Sequence, residues 1–82
     1  SDILKIEDLK EGMDLEGTVR NVTNFGAFID IGLKNDALLH VSEFPTRITD
    51  LLGILAVGEI IKVKVKGVEL GRGRVSLTKK GL

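Results

Sequence analysis

Four groupings of side chains in this sequence could do chemistry, and each asks for a different reaction. His40, Ser42 and Glu43 supply a base, a nucleophile and an acid. On an extended segment, residues two and three apart point in different directions, and no glycine-flanked serine elbow is present, so the trio predicts no hydrolase. Glu7 with Asp8, and Asp14 with Glu16, are adjacent carboxylates. Nothing sets the two members of either pair apart, as acid and base catalysis requires, and they read as solvated faces. The glycines at 71 and 73 lack the lysine, hydroxyl residue and helix that follow a phosphate loop, and they read as turn punctuation. Phe25 and Phe28 are different. They are two of three aromatic residues in the chain, spaced around Gly26. Two outward phenylalanines are what a base-stacking platform needs, at roughly 1 to 3 kcal/mol per stacked base. The alternative is that they cap an open end of the fold.

The elements that would position these rings follow from an apolar period of two. Met13, Leu15, Gly17 and Val19 alternate with Asp14, Glu16, Thr18 and Arg20, the pattern of a half-buried strand. Asn24 and Gly26 mark a turn. A second strand then places Ala27, Ile29 and Ile31 on one face with Phe28 and Asp30 on the other. After the polar turn Lys34 to Asp36, residues 37 to 41 predict a third strand. There Leu38 shares parity with His40, which suggests a bulge or a barrel corner. Residues 42 to 58 lose the alternation, hold the only proline and offer Asp50 as a helix cap ahead of an apolar LLGIL cluster, so a short helical plug is expected. Ile61, Val63 and Val65 alternate with Lys62, Lys64 and Lys66 in a long strand that Gly67 bends. Val75 and Leu77 alternate with Arg74 and Ser76 in a fifth. Five strands with a helical interruption after the third is the order of an oligonucleotide-binding (OB) barrel, all-β and antiparallel.

Composition narrows the function classes. Eighty-two residues suit one small domain. With no cysteine and one histidine, disulfides, thiol chemistry and Cys/His zinc sites are out of reach. No metal or cofactor is implied, and no apolar run is long enough to span a bilayer. The net charge of zero hides a gradient: five basic residues face ten acids up to Asp50, and seven face two beyond it. The later half therefore offers a basic edge, although Lys62, Lys64 and Lys66 also fit a plain solvent face that discourages edge pairing. Ser1 as the first residue suggests a module of a longer protein, with a cytoplasmic or, in a eukaryote, nuclear setting.

Taken together, GMDLEGTVRNVTNFGAFIDIG, ALLHVSE, VGEIIKVKVKGVE and GRVSLT resemble the S1 RNA-binding domain, an OB-fold family, over Leu9 to about Lys80. VTNFGAFIDIG and AVGEIIKVKVKGVE are most similar to the C-terminal domain of Tex-type transcription accessory proteins. The resemblance implies a nucleic-acid-binding module without enzymatic activity, taking single-stranded RNA. Its stacking aromatics fall on Phe25 and Phe28, its histidine on His40, its acidic position on Glu69 and its last-strand arginine on Arg74. Lys62, Lys64 and Lys66 would add a diffuse positive edge, and Glu69 would orient Arg74 or accept from a base. The expected domain spans residues 9 to 80, with a lead at 1 to 8 and a tail at 81 and 82, monomeric when isolated. Ala37 stands where many members have glycine, and LLGIL replaces a more polar helix. That cluster is either a buried plug or a surface for docking another protein. Single-stranded DNA is the nearer rival ligand, because stacking is blind to the sugar.

Overall fold

The computed structural model describes residues 5 to 82. Five strands form a closed barrel: β1 (Asp14–Val22), β2 (Gly26–Asp30), β3 (Ala37–His40), β4 (Ile60–Glu69) and β5 (Arg74–Thr78). Around the barrel they run in the order β1, β2, β3, β5, β4, with β4 returning to β1. This is the expected OB architecture, with one detail corrected. Four pairings are antiparallel, but β3 and β5 pair parallel, Leu38 opposite Ser76 and Leu39 opposite Leu77. Closure demands it, because β5 enters the gap between β3 and β4 already antiparallel to β4.

Alternation fills the interior as the sequence predicts. Val19, Ala27, Ile29, Leu39, Val63, Val65 and Leu77 are almost completely buried. A buried Val, Leu or Ile contributes about 1.5 to 3 kcal/mol over exposure, so this interlocked set is the main source of stability in a chain without disulfides. Gly17 belongs to the same interior, where a Cβ would overlap the Ile29 methyl.

Of the bulge or barrel corner expected in β3, the bulge is absent. Ala37 and Leu39 point inward while Leu38 and His40 point outward, a clean alternation in which Leu38 is an apolar residue on the outer face. The register breaks lie elsewhere, between Val19 and Asn21 in β1 and between Val65 and Gly67 in β4. The β4 break falls beside the glycine that predicts it.

Two short 3-10 turns, Val41–Glu43 and Leu51–Gly53, make up the helical interruption between β3 and β4. Asp50 precedes the second, but its side chain makes no capping bond. The LLGIL cluster divides: Leu51 and Leu55 are buried with the core, whereas Leu52 and Ile54 face outward. Residues 1 to 4 of the expected lead lie outside the described residues. Its remainder forms a 3-10 turn, Ile6–Asp8, with Ile6 packed against the core.

Candidate nucleic-acid interface

Phe25, Phe28 and His40 meet on the outer surface of β2 and β3. The local sequence explains why. Thr23 folds the β1–β2 connection: its Oγ accepts from the amides of Phe25 (3.3 Å) and Gly26 (3.2 Å), and its hydroxyl donates to the Gly26 carbonyl (2.9 Å). The Phe25 carbonyl in turn accepts from the Val41 amide at 2.9 Å, which ties the turn to the end of β3. Gly26 pairs with His40 across the two strands. A Cβ on Gly26 would stand 2.8 Å from the Leu39 carbonyl oxygen and 3.2 Å from the His40 Cα. The glycine between the phenylalanines is therefore what lets β2 approach β3 closely enough to group the rings.

Phe25 is 45% exposed as a residue, and Phe28 is half-buried. Their centroids are 6.3 Å apart and their planes perpendicular, while Phe25 and His40 lie 6.5 Å apart at 39°. Exposed aromatic rings at this spacing offer several faces to planar ligands. His40 is held by its neighbour: Nδ1 accepts from the Ser42 amide at 3.1 Å, and the Ser42 hydroxyl lies 2.9 Å from the same nitrogen. These bonds assign the proton of the neutral ring to Nε2. His40 and Ser42 thus do meet, contrary to the expectation for an extended segment, because the chain turns into 3-10 geometry at Val41. Glu43 does not join them, being turned instead toward β4.

Beside Phe28 a cavity of about 470 Å³ opens between β3, β5 and the end of β4, lined by Phe28, Asp36, Leu38, Glu69, Arg74, Val75 and Ser76. It brings Arg74 and Glu69, cross-strand partners in the β4–β5 pair, to the same surface as Phe28. The orienting ion pair expected between them is not made. Glu69 contacts the Arg72 guanidinium instead, at 3.8 Å, and among the described residues Arg74 has no ion pair.

The lysine edge is less positive than its sequence suggests. Lys64 bonds Asp14 at 3.1 Å, and Lys66 bonds Glu43, whose side chain is only 12% exposed. That ammonium holds the Glu43 carboxyl below the ordinary glutamate value, against the opposing effect of burial. Lys62 lies opposite Glu16 in the β1–β4 register and makes no ion pair among the described residues. Two of the three lysines are therefore neutralised locally.

Sequence reasoning passed over four residues of this surface. Leu38, Asp36 and Ser76 line the cavity, and Asn21 lies directly opposite Phe28 on β1. The outward parity of Leu38 and Ser76 could have found them. Asn21 is hidden because the β1 bulge shifts its parity. Among the described residues no group of three or more His, Cys, Asp or Glu could hold a metal, and no helix is long and apolar enough to cross a membrane.

Comparison with known proteins agrees with this architecture. The family described as S1 RNA binding domain matches residues 8–80. Over 79 residues the chain is 52% identical to the protein YdcI of Bacillus subtilis (strain 168), covering 95% of this chain and 11% of that protein. It is 46% identical over 77 residues to the transcriptional accessory protein Tex of Neisseria gonorrhoeae, covering 93% and 10%. The chain thus spans about a tenth of the length of these relatives. Among solved structures, the a/eIF2alpha-aDim2p-rRNA complex from Pyrococcus horikoshii OT3 superposes with a TM-score of 0.79 at 27% identity, covering 85% of this chain and 44% of that one.

Proposed function

The chain belongs to the S1 RNA-binding domain family, a nucleic-acid-binding module, and from that premise we propose that it binds single-stranded RNA on the outer face of β2, β3 and β5. The observation that carries this reading is the grouping of Phe25, Phe28 and His40 on one outward surface that continues into the Arg74 cavity. A soluble domain gains nothing in its own core from an exposed phenylalanine beside an exposed histidine. Unpaired bases can use both. In this reading Phe25 and Phe28 stack bases, the Nε2–H of His40 donates to a base or phosphate, and Arg74 reaches phosphate with a guanidinium free of ion pairing among the described residues. Lys62 adds positive charge at the flank. Lys64 and Lys66, paired with Asp14 and Glu43, add little further positive charge, and Glu69 retains acceptor capacity toward a base.

The name of the Neisseria relative supports a role in transcription-associated RNA handling, with an intracellular setting and a longer parent protein to match. The exposed residues Leu52 and Ile54, followed by exposed Val57 and Ile60, support docking to another protein. Leu52 and Ile54 lie on the β3–β4 connection and not on the aromatic strands β2 and β3 themselves.

The test is a fluorescence-anisotropy competition on the isolated domain. Unlabelled single-stranded RNA should displace a labelled single strand far better than duplex RNA of equal length, since stacking is closed to paired bases. Equal displacement by the duplex would overturn the platform reading. Single-stranded DNA in the same assay ranks the rival ligand, because contacts to the 2′-hydroxyl alone distinguish the two.

A further inference from the structure

Two carboxylates line the cavity beside Phe28, and phosphate binding has no use for either. Asp36 and Glu69 share that lining with a single cation, Arg74. A phosphate lodged there would meet more negative than positive charge. Nor are the acids consumed by ion pairs. Glu69 has only the 3.8 Å contact with Arg72, on side chains 58% and 70% exposed, and among the described residues Asp36 has none. A carboxylate presents about four acceptor positions, so both keep most of their lone pairs.

The rest of the lining suits a base. Phe28 and Leu38 provide an apolar wall against which a ring can lie, and the Ser76 hydroxyl can donate or accept. What a carboxylate can accept from a base is an N–H. Adenine, cytosine and guanine each carry an exocyclic amino group on the Watson–Crick edge; uracil presents two carbonyl oxygens there around one N–H. A uracil turned toward Asp36 and Glu69 would oppose oxygen to oxygen, whereas an amino-bearing base would satisfy a carboxylate in place of water.

We infer that this cavity selects bases bearing an exocyclic amino group and disfavours uracil, with Asp36 and Glu69 as the acceptors. The inference rests on the reading of this face as a single-strand surface and adds base selectivity to it. Arg74, the single cation of the lining, is left to the adjoining phosphate, while the base edge meets the acids.

The test compares oligouridylates of one length carrying at the central position either adenosine or purine riboside, which differ only in the amino group while both offer a purine ring to stack. Anisotropy titration of the unaltered domain should show the adenosine oligomer binding at least about tenfold more tightly, the lower end for one hydrogen bond to a charged group. The double variant Asp36→Asn, Glu69→Gln should bring that ratio to about one. Its overall affinity is expected to rise, since two negative charges leave an anion-binding face. Arg74→Ala should weaken both oligomers and keep the ratio. Both acids are exposed, and a thermal melt of the variant checks that it folds. Equal binding of the two oligomers to the unaltered domain overturns the selectivity while leaving the single-strand reading in place. A ratio that survives in the double variant overturns the assignment to Asp36 and Glu69. If no oligomer binds, the single-strand reading and the selectivity fall together.

Discussion

The ring of Phe25 meets the ring of Phe28 edge to face, at 6.3 Å and 87°. Perpendicular rings cannot share one continuous stack, so on the proposed reading each would take its own base, and an RNA strand crossing this surface would turn between them. The two should also differ as variants. Phe25→Ala truncates a residue 45% exposed and is expected to leave the melt nearly unchanged, within about 0.5 kcal/mol. Phe28→Ala should cost more, about 1 to 2 kcal/mol, because that ring is half-buried against Leu38 and Asn21 neighbours. Each should weaken RNA binding by at least about fivefold, the lower end of one stacking contact. Paired melts and RNA titrations separate the effects; a folded Phe25→Ala variant with undiminished affinity would remove it from the interface.

At Gly26 the backbone of β2 leaves no room for a side chain against β3. Gly26→Ala sets a methyl against the Leu39 carbonyl, backbone that cannot swing aside. A loss of roughly 1 to 3 kcal/mol is expected, the usual range for overpacking. Chemical denaturation measures it. RNA affinity of the folded fraction should also fall, since moving β3 displaces His40 from Phe25.

Charge should enter binding weakly. With Lys64 and Lys66 held by acids, about three phosphates should be neutralised, giving a log–log salt slope of about −2 by the single-strand rule. Arg74→Ala should flatten that slope by about 0.7, one phosphate's share, whereas Lys64→Ala should barely alter it. Titrations across a salt series give both values. A slope several times steeper in the unaltered domain would shift the main source of affinity from the rings to the basic residues.

The Glu43–Lys66 pair predicts an acid-sensitive component of stability. A carboxyl whose pKa is lowered on folding contributes stability that is present above its unfolded value and lost as the pH falls through its folded one. Stability should therefore drop as the pH goes below the ordinary glutamate range. Glu43→Gln should flatten that drop while costing at most about 1 kcal/mol at neutral pH, since Lys66 is 55% exposed. Urea unfolding of the two proteins across that range, compared as a difference, cancels the other carboxylates.

Much of this surface was legible because alternation is a local property. Parity alone turned Phe28 outward and Ile29 inward, and Gly67 announced the bend in β4. The β1 bulge carried no such mark, as Val19 to Val22 contain neither glycine nor proline. Leu38 misled because an apolar residue was assumed to belong to the core, when it forms the cavity wall beside Phe28. The ion pairs were illegible for another reason. Lys66 meets Glu43 across 23 residues of chain, and Glu69 has two arginines within five residues, so only the closed barrel decides which partner each charge finds.

From the parallel junction of β3 with β5 an order of events in folding is also expected. The β1–β2–β3 meander, with both phenylalanines and His40, can form from contacts close in sequence, but Arg74 and Ser76 arrive beside Phe28 only when the last strand crosses to β3. Non-local closure of this kind is the slow, entropically costly step of a barrel. A chain lacking its final strand would display the aromatic rings without the arginine, next to two open strand edges prone to pairing with other chains. On the proposed reading, the complete RNA-binding face and protection from aggregation would be acquired in one event, when residues 74 to 78 close the barrel.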